Sequence, residues 1–289
     1  MPYLDRIADC NTADLSGYRP FVVDGRAVGL LTPDMVKGLA DHADVFTPLG
    51  NGIQLRDGLE GRERRTEAVG DAVRRLIERG LIGRWRGEYY VVGTGWSDPV
   101  LFDLDRGAVP SFGVLGYGVH INGFTHDADG AHMWVGKRAL TKPSGPGKMD
   151  QMVAGGQPSG LGLMENVIKE CAEEADLPEA LSAKAVPVGA ISYIVERPEG
   201  LRRDILFNYD LELPADVTPA NTDGEVEAFH RWPLARVVET VRDTDDFKFN
   251  CALVVMDFLI RHGHLPPEDP AYLDLQMGLR RPVDLAGWV

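Results

Sequence analysis

The segment from Leu163 to Ala175 constrains this chain more than any other. Met164, Val167, Ile168, Cys171 and Ala175 recur at helical spacing and form one apolar stripe. Glu170, Glu173 and Glu174 fall within roughly 100° of arc on the other side, so an amphipathic helix projects three carboxylates toward one point. Like charges so placed repel. A hard divalent cation between the oxygens relieves that repulsion, and Mg²⁺ or Mn²⁺ takes carboxylates together with phosphate oxygens in octahedral geometry. Just before the helix stands Val153-Ala154-Gly155-Gly156, a strand ending in glycines whose bare backbone lets N–H groups approach an anion. Gly155 and Gly156 are therefore expected to contact substrate.

The surrounding pattern places this helix in an α/β setting. Val119 to Asn122 and His132 to Gly136 read as antiparallel strands feeding the basic loop Lys137 to Lys148, in which Arg138, Lys142 and Lys148 are candidate phosphate contacts. Strands are expected near 186–195, 205–213 and 226–232, and a helix from Asn250 to Arg261. With 289 residues the chain exceeds the usual size of one domain. We expect an N-terminal α+β domain over residues 1–117, a second domain over 118–264, and a tail packed on the core over 265–289. Residues 62–86 carry eight arginines interleaved with Glu63, Glu67, Asp71 and Glu78, the pattern of a solvated helix laced with ion pairs.

Thirty Lys and Arg against 44 Asp and Glu give a net charge of −14, the wrong sign for steering toward nucleic-acid phosphates. No nucleic-acid partner is expected. No apolar run reaches the roughly 20 residues a membrane span requires, so no membrane partner is expected either. Residues 1–6 lack a basic and an apolar leader region, and the expected location is cytoplasmic. Cys10, Cys171 and Cys251 form no paired motif and are expected to be reduced thiols. Trp134, Tyr193 and Phe207 are candidates for stacking on a heterocycle, Trp134 above all.

Aligned on Gly155, the 23 residues to Leu177 resemble the Nudix hydrolase box. Gly155, Glu170, Glu173, Glu174 and Leu177 match its positions, Lys169 stands for the box arginine, and Cys171 takes an apolar position. Leu161 and Asp176 depart, standing where the box has a glutamate and a glycine. Val119-His120-Ile121-Asn122-Gly123, Trp134-Val135-Gly136-Lys137-Arg138, Pro146-Gly147-Lys148-Met149-Asp150, Ala154-Gly155-Gly156-Gln157-Pro158-Ser159-Gly160, Glu165-Asn166 and Phe247-Lys248-Phe249-Asn250-Cys251-Ala252-Leu253 are similar to the thiamine-pyrophosphokinase-related branch of that family, which also carries an N-terminal domain of unassigned function.

The resemblance implies a Nudix α/β/α sandwich with a mixed sheet, preceded by a smaller α+β domain. It implies a pyrophosphohydrolase that releases the monophosphate from thiamine diphosphate or damaged analogues, using Mg²⁺ or Mn²⁺ held by Glu170, Glu173 and Glu174. Lys169 would support the box. Glu173, Glu174 and Glu225 form the expected catalytic set, with Glu174, Glu225 or Glu227 as general base, because many members place an acid opposite the box. A nucleotide-sugar or dinucleotide diphosphatase is the alternative enzyme. A ligand sensor on the same fold is the alternative outside catalysis.

Overall fold

The structure, a computed structural model, describes residues 2–288. The chain runs α1 (Pro2–Asp9), β1 (Arg19–Val23), β2 (Arg26–Leu31), α2 (Pro33–Ala40), β3 (Phe46–Leu49), β4 (Gly52–Leu55), α3 (Arg62–Glu78), β5 (Tyr89–Val92), β6 (Phe102–Asp105) and α4 (Val109–Phe112). Then follow β7 (Leu115–Asp127), β8 (Gly130–Arg138), β9 (Met149–Asp150), β10 (Val153–Gly156), α5 (Leu163–Ala175), α6 (Glu179–Ser182), β11 (Val186–Arg197), β12 (Gly200–Glu212) and β13 (Val226–Pro233). The chain ends with α7 (Leu234–Asp243), α8 (Phe249–Arg261) and α9 (Tyr272–Gly278).

The first sheet has strand order β2-β1-β4-β3, and β5 and β6 form a separate hairpin. Helix α2 starts where Thr32 accepts a hydrogen bond from the Met35 N–H and Pro33 takes the first helical position. Helix α3 buries Val69, Ala72, Val73 and Leu76, a stripe at i, i+3, i+4 and i+7. Arg74 pairs with Asp71 within the helix, as the interleaving predicts, whereas Arg65 reaches Asp24 in the turn between β1 and β2. The core beneath gathers Phe46, Phe102 and Phe112 edge-on around Phe21.

The second sheet runs β11-β12-β7-β8-β13, with β10 on the first half of β7 and β9 on β8. It is mixed: β12 lies parallel to β7, and the other pairs are antiparallel. Residues 115–125 of β7 are all buried, because both faces of the sheet are covered. Val119, Ile121 and Val153 meet Val167 and Cys171 of α5 on one face. Phe124, Tyr193 and Leu206 meet α8 on the other. Residues 250–260 of α8 are buried on every side, since α1 and α7 pack against it in the same core. This is the expected α/β/α sandwich.

Three helices depart from the sequence expectation. Tyr3, Ile7 and Cys10 at the start of the chain join the core around α8 rather than the first sheet. Helix α7 fills a stretch for which no element is expected, and the expected tail contains α9, whose Leu275 enters that same core. The three cysteines are buried and unpaired. Among the described residues no helix is long and apolar enough to cross a membrane.

Candidate functional site

The two glycines that end β10 are fitted against acids and a phenol. A Cβ on Gly155 would stand 2.2 Å from the Glu170 carboxyl carbon, and one on Gly156 would overlap the Tyr90 hydroxyl at 1.5 Å. Gly155 thus lets a helix carboxylate lie flat on the sheet. The loop beyond is fastened from inside α5: Asn166 donates to the Gly156 carbonyl at 2.9 Å and to Gln157 Oε1 at 3.1 Å, and Gln157 donates to the Leu161 carbonyl at 2.7 Å. Glu165 accepts from the Gly162 N–H at 2.7 Å and caps the helix.

The box acids separate by burial. Glu174 is only 9% exposed, and one of its oxygens accepts from the Ala154 N–H at 3.0 Å. Burial pushes its carboxyl up to about 8; the Ala154 N–H works against this, while Glu170, Asp150 and Glu225 add to it. Glu170 is raised too, by burial first, with Lys169 opposing. Glu173 turns outward, its side chain 53% exposed and 2.7 Å from Lys169, which also reaches Glu170 at 3.1 Å.

Glu225 and a residue not singled out in the sequence, Asp223, complete the cluster. Glu174, Asp223 and Glu225 each bring an oxygen within 4.8 Å of the others. A tight turn aims the last two, with the Glu225 N–H on Asp223 Oδ1 at 2.8 Å and the Gly224 N–H on Asn221 at 2.9 Å. Lys142 pairs with Glu225. The donors are hard oxygens around a buried carboxyl whose charged neighbours Glu170, Asp150 and Glu225 repel it, and that set suits a divalent cation.

The remaining expected contacts lie elsewhere. Arg138 holds Asp150 at 2.5 Å and the Ser144 carbonyl at 3.0 Å, and Lys148 donates to the Asp245 carbonyl. Trp134 is buried among Val119, Met152 and Val167, with its Nε1 unpartnered. Tyr193 is fully buried and donates to Asp204. Phe207 alone of the three aromatics stays half-buried, on the α5 face. Lys137 and Glu227 form an exposed pair.

His120, Asp150 and Cys251 also bring ligand atoms together. Burial pushes Asp150 up, yet Lys248 and Arg138 outweigh it and hold the carboxyl below the usual carboxylate range. Cys251 donates to Asp150 at 2.6 Å. Two cations already balance this carboxylate, and a metal there would meet their repulsion.

The first unit reaches this loop. Arg62 binds Asp103 through two nitrogens at 2.8 and 2.9 Å and Ser159 at 2.6 Å, while the Ser159 N–H donates to the Tyr89 carbonyl at 2.7 Å. Asp103 and Ser159 gave no sequence signal, because the pairing joins residues 56 positions apart.

Comparison with known proteins gives the following likenesses. Residues 2–116 match the family described as "Domain of unknown function (DUF4743)". Nudix hydrolase 24, chloroplastic, of Arabidopsis thaliana is 41% identical over 282 residues, 96% of this chain and 77% of that protein. Nudix hydrolase 20, chloroplastic, of the same plant is 41% identical over 289 residues, with the same coverage. A MutT/nudix family protein from Enterococcus faecalis has a TM-score of 0.42 at 12% identity, covering 56% of this chain and 67% of that one. The plant names overturn the cytoplasmic expectation: both relatives are chloroplastic, and lack of a secretory leader does not specify the cytoplasm. The chain belongs to the Nudix hydrolases, enzymes that act on diphosphate bonds with the help of a divalent metal.

Proposed function

We propose that this chain hydrolyses the diphosphate of thiamine diphosphate, or of damaged analogues of it, to the monophosphate, with Mg²⁺ or Mn²⁺ as the cation. The observation that carries the reading of the site is the convergence of Glu174, Asp223 and Glu225 oxygens beside Glu170, which lies against Gly155. The thiamine end of the substrate rests on the sequence phrases shared with that branch.

Glu170 and Glu174 are the proposed cation ligands, with Glu225 and Asp223 opposite. Glu173 belongs to the set through Lys169, which it shares with Glu170. When bound, the cation supplies neutralisation of the diphosphate charge and polarisation of the phosphoryl group. Gly155 and Gly156 let the diphosphate approach the backbone. Lys142, tied to Glu225, is the proposed phosphate contact from the basic loop. Arg138 and Lys148 support the loop through the partners described above. Glu225 is the proposed base that accepts a proton from the attacking water, being more exposed than Glu174 and therefore better placed to return that proton to solvent. In this reading residues 1–117 wall the cleft, 118–264 carry the chemistry and 265–289 brace the fold, with α1 lent to the second core.

Glu174→Gln tests the reading. The amide keeps the size of the side chain and an oxygen for the Ala154 N–H, so the melting temperature stays within a few degrees. Turnover of thiamine diphosphate falls by at least about a hundredfold, and Glu173→Gln, at an exposed position, loses less. Unchanged phosphate release by Glu174→Gln would refute the assignment.

A further inference from the structure

Gly155 pairs with Val119, Val119 with Phe207, and Phe207 with Ala190. These four positions stand side by side across four strands and direct their side chains to one face of the sheet. Glu170 occupies that face over Gly155. At about 4.8 Å per strand, Phe207 stands roughly 10 Å and Ala190 roughly 14 Å from the glycine. The acids and Phe207 therefore share one surface, separated by about the length of a short linker.

Trp96, in the loop between β5 and β6, comes from the first unit and rests on this surface. Its ring lies 4.8 Å from Phe207 at 59° and 4.9 Å from Tyr117 at 64°. It nevertheless remains 45% exposed. A separate cavity of about 320 Å³ opens further along the sheet, lined by Thr94 and Gly95 of the same loop, by Ala190 and Ile205 of the sheet, and by Arg280 and Arg281 near the end of the chain. An indole tilted against two aromatic rings and left half open to solvent, on the acid-bearing face, has the form of an aromatic wall for a planar ring.

We propose that Trp96, Phe207 and Tyr117 form the subsite for the aromatic heterocycle of the diphosphate substrate, so that the first unit sets specificity for chemistry carried by the second. The inference rests on the site assigned above and deepens it by locating the ring end of the substrate. The ligand class is a planar heterocycle joined to a diphosphate by a linker of a few bonds. A diphosphate without a ring gains nothing from this wall.

The test uses the full chain with Mn²⁺ and three substrates: thiamine diphosphate, ADP-ribose, and isopentenyl diphosphate, which has no ring. The readout is the ratio of kcat/KM on each ring-bearing compound to kcat/KM on the ring-free one. Trp96→Leu keeps apolar cover on Phe207 but removes the ring, and the ratio falls about five- to tenfold. Trp96→Phe keeps a ring, and the ratio stays within about twofold of wild type. Should the wild type act on ADP-ribose and not on thiamine diphosphate, with the ratio still falling in Trp96→Leu, the thiamine reading fails and the aromatic subsite stands. A ratio unchanged in Trp96→Leu, an equal fall in Trp96→Phe, or a wild type that acts on neither ring-bearing compound overturns the subsite.

Discussion

Glu173 and Glu174 are chain neighbours with opposite fates. Helical arithmetic puts both beside Glu170, but the arithmetic gives directions and not depths. Glu174 lies under β10 with an N–H to accept, whereas Glu173 meets Lys169 in solvent. The family resemblance named Glu225 or Glu227 as the acid opposite the box; the fold brings Glu225 to Glu174 and leaves Glu227 with Lys137. Asp223 was not legible, because nothing marks one turn acid from another until the turn is folded. His120 shows the same limit on the other face of the sheet. It is 4% exposed and 2.8 Å from Gln151 Oε1. Burial draws it from 6.5 down to about 4, against the nearby Asp150 carboxylate and with help from Lys248. Between those values the unfolded chain takes up a proton that the fold refuses. Stability contributed at neutral pH is therefore lost as pH falls through this window, by about 3 kcal/mol from this group. In urea titrations from pH 7 to 4.5, His120→Gln should give a slope of stability against pH shallower by up to one proton; identical slopes would exclude His120 as the group responsible.

At the scale of elements, α5 and the strand before it were readable because period and charge coincide there. Its end illustrates how a departure from the family pattern is absorbed. Asp176 replaces the box glycine and sits at φ 54°, ψ 34°, in the left-handed region, and the Leu177 N–H closes the helix on the Cys171 carbonyl at 3.1 Å. Aspartate tolerates this conformation better than most residues but still pays for its Cβ. Asp176→Gly should stabilise the chain by about 0.5–1 kcal/mol, roughly 1–3 °C in melting temperature for a protein of this size, and a calorimetric scan reads it directly. Leu161, the other departure, presents its carbonyl to Gln157, so the loop is held through the backbone where the box has a charged side chain. Helices α1 and α9 escaped sequence reading for a different reason: each has eight residues or fewer, too short for a periodic signal to rise above chance. They exist because α1 packs on α8 and α9 packs on α1.

Across the whole molecule, Arg203 joins three parts of the chain. It is 2% exposed and donates to the Gly113 carbonyl at 2.8 Å and the Val28 carbonyl at 3.5 Å in the first unit, and to Val283 at 3.1 Å near the end of the chain. Burial pulls its guanidinium down to about 10. Arg203→Met fills the space but strands those carbonyls without donors, at a cost of about 3–5 kcal/mol. Equilibrium unfolding in urea should show a lower midpoint with both units still melting together, since α1 and the Arg62–Ser159 contact continue to couple them. Two separate transitions in the wild type would contradict that coupling.

The sequence by itself determined the chemistry available: acids on one face of an amphipathic helix and glycines ahead of it. Those properties are local, set by spacing along a few turns of chain, and local spacing survives any tertiary arrangement. Only the folded chain decided which carboxylate is buried and which solvated, that Arg138 and Lys148 are engaged by other groups, and that Trp96 stands on Phe207. The burial of Glu174, the partners of Arg138 and Lys148 and the seat of Trp96 depend on residues far apart in sequence, which only the folded chain brings into contact.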